Sequence, residues 1–196
     1  VEKIAESSKS YLLKLARSAI AGEFAGRTVD FGDIPGDVSS ERGVFVTLTK
    51  RGRLRGCIGN INPEDRIYES IARNAVQAAF LDPRFPKMTE SELKDVSIEI
   101  SILTKPEKLD FADGEDLLGK ISEVKPGVVL DQGWNRATYL PQVWEEISDP
   151  RKFLSSLCVK AGLPADCWSG CDGNLSILTY SVIKFSEGDI GLDGKS

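Results

Sequence analysis

GVFVTLTKRGRLRGCIGN, residues 43–60, reads as two strands joined by a tight turn. The β-branched and aromatic residues of Val44–Thr49 favour an extended, half-buried backbone. KRGR, residues 50–53, supplies a glycine-containing turn, and LRGCIGN, residues 54–60, returns as the second strand. Residues 50–60 also hold four basic side chains, three glycines and one cysteine, a composition that core strands seldom need. Either the backbone is in a tight place there, or chemistry happens there.

Outward from this hairpin, helices and strands mix without a regular βαβ rhythm. SSKSYLLKLARSAIAG, residues 7–22, puts Leu12, Leu15, Ala16, Ala19 and Ile20 on one helical face, with Gly22 able to end the helix. Thr28–Glu41, with Gly32, Pro35 and Gly36, is expected to be a long loop. Asn62 and Pro63 fit the N-cap and first position of a helix that buries Ile67, Ile71 and Ala78 and ends at Pro83. TESE, residues 89–92, has capping-box spacing. VSIEISIL, residues 96–103, alternates: Val96, Ile98, Ile100 and Ile102 face one way, Ser97, Glu99 and Ser101 the other.

Further on, GVVLDQGWNRATYLPQVW is expected to form two strands with a turn near residues 132–135. Asp149 and Pro150 cap a helix closed by Gly162, and LSILTYSVIKF, residues 175–185, is the last strand. The tail from 186 to 196 is expected to be mobile. The pattern predicts an α+β fold with a mostly antiparallel sheet in a single domain over residues 1–185.

The totals narrow the function. At 196 residues, 41% hydrophobic and 28% charged, the chain has the composition of a globular domain with a good core. No apolar run approaches the roughly 20 residues of a membrane span. The first twenty residues scatter charge along an amphipathic pattern, unlike a signal peptide. A net charge of −5 speaks against broad nucleic-acid binding. The absence of histidine removes Ser-His-Asp and Cys-His machinery and any His-ligated metal. A cytoplasmic protein with reduced thiols is expected.

With a period of two, Leu54, Gly56 and Ile58 share one face of the returning strand, while Arg55, Cys57 and Gly59 share the other. Arg55 and Cys57 then stand roughly 7 Å apart at their α-carbons, where a fixed positive charge favours thiolate over thiol. Gly56 and Gly59 clear space for another backbone or a ligand. The plainer reading makes Cys57 a small apolar filler and the glycines the mark of a bulge. The basic tip, Lys50, Arg51 and Arg53, reads as a solvated hairpin end.

LRGCIGN, preceded by GVFVTL and followed by DPRFPKMTESEL, resembles the AMMECR family. The similarity continues through VSIEISILTKPEKL, GVVLDQGWNRATYLPQVWEEI and AGLPADCW, from about Ser10 to Phe185. The resemblance implies an α+β fold with a larger and a smaller lobe, and a functional site in the cleft between them. It implies no established activity and no defined cofactor. It does imply an association with a Memo-like protein and a radical-SAM protein.

On this basis the candidate catalytic residues are Cys57 as nucleophile or covalent acceptor, Arg55 as its electrostatic partner, and Glu99 as general base. The candidate substrate-binding residues are Gly56 and Gly59, whose N–H groups can meet developing negative charge, with Asn60, Arg84 and Ser101. Arg84, held between two prolines, can meet a carboxylate or phosphate. The plainer reading puts Phe85 in the core and pairs Arg84 with a nearby acid. No metal is expected: Cys167 and Cys171 lack the spacing of common zinc sites, and Cys158 falls on an apolar helix stripe. A Cys167–Cys171 disulfide belongs only to an oxidised sample. Trp134, Tyr139, Gln142 and Trp144, with Arg136, form either a binding surface or packing. The competing function is a non-catalytic interaction module in which the motif only shapes a surface.

Overall fold

Lys50 pairs with Arg53 across a two-residue turn, Arg51–Gly52, in which both residues have positive φ (52° and 74°). That is the hairpin geometry whose twist matches the flanking strands. Glycine adopts it freely; arginine does so at a cost of about 1 kcal/mol. In this computed structural model, which describes residues 3–170 and 175–191, the hairpin is one edge of the first of two sheets. Cys171 and residues 192–196, on which sequence expectations were placed, lie outside the described residues.

The elements in chain order are α1 (Glu6–Phe24), β1 (Val44–Lys50), β2 (Arg53–Asn60), α2 (Ile67–Phe80), β3 (Val96–Leu103) and β4 (Glu107–Lys108). They continue with α3 (Gly114–Val124), β5 (Gly127–Gln132), β6 (Asn135–Tyr139), α4 (Val143–Glu146), α5 (Pro150–Lys160), β7 (Ser176–Tyr180) and β8 (Val182–Ser186). The fold is α+β, as expected, but with two four-stranded sheets, ordered β2-β1-β3-β8 and β4-β7-β5-β6. Each belongs to its own compact unit, residues 1–104 with 183–196 and residues 105–182.

In the first unit, β1 pairs antiparallel with both β2 and β3. Val44, Val46, Leu48, Ile98, Ile100 and Ile102 are buried with Leu12, Leu13, Ile20, Ile67 and Ile71 of the two long helices. The alternation read in residues 96–103 therefore holds: the four apolar positions face the helices. α1 buries the stripe expected of it but runs on to Phe24, and Gly26, at φ 62°, follows its C-cap in place of Gly22. α2 begins four residues later than Asn62 and Pro63 suggest. Arg66 is held extended by bridging to Glu41, and the Ile67 N–H donates to the Ser40 carbonyl, so the chain enters the helix only there.

α2 turns alanines toward the sheet: Ala72, Ala75, Ala78 and Ala79 are all buried. Small side chains let a helix come close. Within the described part of the tail expected to be mobile, residues 186–191, Glu187 is anchored. Glu187 is buried and takes Arg17 Nε at 2.6 Å, Arg17 Nη2 at 2.6 Å and the Ile98 N–H at 2.9 Å.

The second unit packs α3 and α5 with the second sheet around Leu117, Ile121, Val128, Leu130, Phe153, Leu154, Leu157 and Ile177. The hairpin around residues 132–135 and the Asp149 cap of α5 form as expected, the Asp149 carboxylate accepting from the Arg151 and Lys152 N–H groups. Residues 175–185 do not form one strand: β7 joins the second sheet and β8 the first. Trp144 stacks on Phe153 at 3.9 Å, whereas Trp134 is fully exposed at the turn, so the aromatic residues there do not form one cluster. Cys158 is buried on α5 but is disulfide-bonded to Cys167, contrary to the expectation of reduced thiols. Intracellular proteins of hyperthermophilic archaea carry such bonds, so an intracellular protein can hold one. No helix among the described residues is long and apolar enough to cross a membrane.

Candidate functional site

The motif strand β2 is bulged. Pairing with β1 runs Thr47↔Cys57 and Leu48↔Gly56, then jumps to Thr49↔Leu54, leaving Arg55 without a cross-strand partner. An extra residue in one strand turns two successive side chains to the same side. Arg55 and Gly56 both point toward the helix-covered face, and Cys57 emerges on the opposite one. The strict alternation expected from the sequence, with Arg55 and Cys57 as same-face neighbours, is therefore corrected.

Arg55 is buried, and its partners are elsewhere. Its Nη2 donates to the Pro86 carbonyl at 2.9 Å and to Glu92 Oε2 at 3.1 Å. Its guanidinium lies 5.9 Å from the Phe85 ring centre, within cation–π range. Lys50 Nζ and the Thr89 N–H also donate to Glu92, at 2.9 and 3.1 Å. Arg55 first, then Lys50 and Thr89, hold the Glu92 carboxyl down to about 2. Arg55 is thus a structural ion-pair residue, and its expected role as the thiolate's partner does not stand.

The two motif glycines answer to packing. A Cβ on Gly56 would overlap the Ala78 carbonyl of α2, and a Cβ on Gly59 would overlap the Phe45 ring and the Val44 carbonyl. The space they clear is filled by the protein, not left for a substrate. Asn60 is likewise engaged: its side-chain amide donates to the Asn62 carbonyl, and its Oδ1 accepts from Asn74 at 3.3 Å.

Cys57 is the free cysteine of the described residues and is partly exposed. The Thr47 hydroxyl donates to its sulfur at 3.2 Å. Because β2 is an edge strand, the outward backbone groups of Cys57 need partners, and the segment after α2 supplies them. The Cys57 N–H donates to Asp82 Oδ2 at 2.9 Å, and Arg84 Nη2 donates to the Cys57 carbonyl at 3.2 Å. Asp82 in turn accepts from Arg84 Nε at 2.9 Å and Nη2 at 2.7 Å. Arg84 holds the buried Asp82 carboxyl far below the usual carboxylate range, the Cys57 and Arg84 N–H groups adding to that against the opposing effect of burial. Arg84 is itself raised, chiefly by its hydrogen bonds to Asp82.

A guanidinium does stand beside the motif cysteine, then, but it belongs to Arg84. The plainer reading of Arg84, paired with a nearby acid, is also met; Phe85 is half-buried between the two arginines at 5.6 and 5.9 Å rather than in the core.

Glu99 pairs with Thr47, so Cys57, Thr47 and Glu99 form a row across β2, β1 and β3. Two strand spacings, about 10 Å, separate Glu99 from Cys57, and Lys184 pairs with the Glu99 carboxylate at 2.9 Å. Glu99 is out of reach as a base for the thiol. Ser101 lies opposite Phe45, which separates it from Gly59. No group of three His, Cys, Asp or Glu suited to a metal gathers among the described residues. Thr47, Asp82 and Glu92 escaped sequence reasoning. Glu92 was hidden by its capping-box position, and Thr47 by the one-residue register change that the bulge introduces.

Two antiparallel sheets, each with its own helices, and a bulged edge strand whose cysteine is held by an Asp–Arg pair define an α+β protein of one distinct type. The chain belongs to the AMMECR1 family, whose model matches residues 13–185. It is 41% identical over 162 residues to a protein of Methanothermobacter thermautotrophicus, covering 80% of this chain and 83% of the relative. A Methanopyrus kandleri protein is 36% identical over 195 residues, covering 95% and 91%. The solved structure of an uncharacterized protein from Pyrococcus horikoshii aligns with a TM-score of 0.72 and 32% identity, covering 96% of this chain and 95% of that one.

Proposed function

We propose that the protein engages a small electrophilic molecule bearing negative charge, with Cys57 as its covalent acceptor. The observation that carries this reading is the Thr47 hydroxyl on the Cys57 sulfur at 3.2 Å in a partly exposed thiol. A hydroxyl donating to sulfur stabilises the thiolate, the form that attacks. Arg84, whose side chain is 54% exposed, offers its remaining donors to an anionic group of the ligand. The sulfur forms a new S–C bond as the bond from that carbon to its leaving group breaks, the leaving group departing as an anion with the electron pair. The thiol proton goes to water, since Asp82 is saturated by hydrogen bonds and Glu99 is out of reach.

The test is the rate at which iodoacetate, an anionic electrophile, alkylates Cys57, followed by mass spectrometry of the peptide. Thr47→Val and Arg84→Gln are each expected to slow it severalfold, the latter more for iodoacetate than for neutral iodoacetamide. Equal rates in all three proteins overturn the reading.

A second reading has its own support. Arg55, Gly56, Ile58 and Gly59 are each explained by burial or close contact within the first unit, which suits a non-catalytic interaction module. A Memo-like or a radical-SAM protein would then be the partner. Under that reading, substituting exposed Leu54 weakens co-purification with such a protein, and blocking Cys57 leaves it unchanged.

A further inference from the structure

We propose that the turn end of the β1–β2 hairpin is a binding site for a small molecule carrying phosphate. A recess of ≈530 Å³ opens there, lined by Lys50, Arg51, Arg53, Leu54 and Arg55. Four of these five residues are cations, in a chain whose net charge is −5. That volume is within the range of small-molecule sites, roughly 300–1,000 Å³.

The charge is only partly neutralised from within, by one carboxylate among four cations. Glu92 serves both Lys50 and Arg55 and already accepts the Thr89 N–H. Among the described residues no carboxylate pairs with Arg51 or Arg53. Arg55 is the one buried residue of the lining, and its Nη1 has no hydrogen-bond partner. Arg55 therefore keeps one buried donor that no protein group satisfies, which is costly.

The backbone points the same way. Arg51 occupies a left-handed position at φ 52°, where asparagine, aspartate or glycine is the usual occupant. Keeping a long cation at a strained turn position suggests that its charge is used.

A hairpin end that is merely solvated, as the sequence suggested, does not account for a recess with two unpaired arginines on its wall. A nucleic acid needs a positive track several phosphates long, whereas here the cations gather within residues 50–55 of an acidic chain. The recess therefore fits a phosphorylated small molecule. The site is independent of the Cys57 reading, since it involves neither Thr47 nor Arg84.

The experiment is calorimetric titration of the full chain with pyrophosphate in low-salt buffer. It is repeated on Arg51→Asn/Arg53→Ser, and on Lys105→Ser/Lys152→Ser, which removes equal charge from exposed positions elsewhere. Asparagine tolerates the turn conformation, and circular dichroism checks folding. Saturable binding is expected in the wild type, at least tenfold weaker in the hairpin variant and within twofold of wild type in the control. Cys57 alkylation stays the same in all three, so failure here leaves the thiol reading untouched and the reverse holds as well. Absence of saturable pyrophosphate binding overturns the proposal, as does equal weakening in both variants. Tighter binding of a 12-nucleotide single-stranded RNA, lost in the hairpin variant, replaces it with a nucleic-acid site.

Discussion

Adding one methyl group at two glycines should move stability in opposite directions, for reasons visible at each. A Cβ at Gly56 would overlap the Ala78 carbonyl oxygen and stand 3.0 Å from its carbon. Unstrained carbon contacts are about 3.5–4.0 Å, so α2 and β2 must part by about 1 Å. That carbonyl is backbone within a helix whose alanines are already pressed on the sheet, and no side chain is available to rotate away. Overpacking typically costs about 1–3 kcal/mol and sometimes more; with backbone against backbone, Gly56→Ala is expected near 3 kcal/mol.

Gly119 is exposed in the middle of α3, with nothing within 4 Å of an added Cβ. Gly119→Ala should stabilise the chain by about 0.5–1 kcal/mol through lost flexibility of the unfolded state. Urea unfolding followed by fluorescence measures both: the midpoint falls for the first and rises for the second. A loss under 1 kcal/mol for Gly56→Ala would falsify the close-approach account and return that glycine to the list of candidate ligand contacts.

Other perturbations test the rest of the frame. Reducing the Cys158–Cys167 bond, which closes a loop of nine-residue separation, should cost the second unit about 2–3 kcal/mol, read as faster hydrogen exchange in α5 with that of α2 unchanged. The Glu92 carboxyl sits near 2 in the folded chain and near 4.5 when unfolded, so its stabilisation is complete above pH 4.5 and is lost as pH falls toward 2. Glu92→Gln should flatten the stability–pH curve in that window. It should also cost roughly 2 kcal/mol at pH 7, less than a fully buried pair because Glu92 keeps some solvent contact. Asp82→Asn should lose about 2 kcal/mol in thermal or urea unfolding, because a neutral amide no longer matches the donors of Arg84 and Cys57. It should also change the Cys57 alkylation rate, since Arg84 is then no longer held beside the thiol.

Where periodicity carried the information, the sequence was a reliable guide. The apolar stripe of α1, the alternation of residues 96–103, the turn at residues 51–52 and the Asp149 cap are local properties, readable from spacing alone. What escaped depends on contacts between distant residues. No local pattern tells that residues 175–185 divide between two sheets at Ser181, or that Arg66 is held out of its helix by Glu41. The candidate site suffered from one such fact. A two-residue turn with regular pairing would set Leu48 opposite Arg55 and Val46 opposite Cys57, both on the inner face. The bulge at Leu48/Thr49 moves Cys57 alone to the outer face. A strand with two glycines near its middle is the available signal for such a bulge, and it does not say where the extra residue falls.

That displacement decides which residues can bear on chemistry. An edge strand exposes unpaired N–H and C=O groups and invites association with other chains unless something blocks it. Here a carboxylate and a guanidinium, Asp82 and Arg84, stand in for the missing neighbour at Cys57, one accepting and one donating. Arg84 cannot leave its place without freeing the edge, and Asp82 cannot lose its hydrogen-bond donors without stranding a buried charge. The arginine beside the thiol is therefore fixed by a structural need, and its position costs the site nothing further. Arg55, by contrast, is held by Glu92 on the far side of the strand. Within LRGCIG the packing of the first unit accounts for Arg55, Gly56, Ile58 and Gly59, which leaves exposed Leu54 and the Cys57 sulfur as the two positions that it does not explain. A function for the motif other than anion binding at the hairpin turn has to act through one of those two.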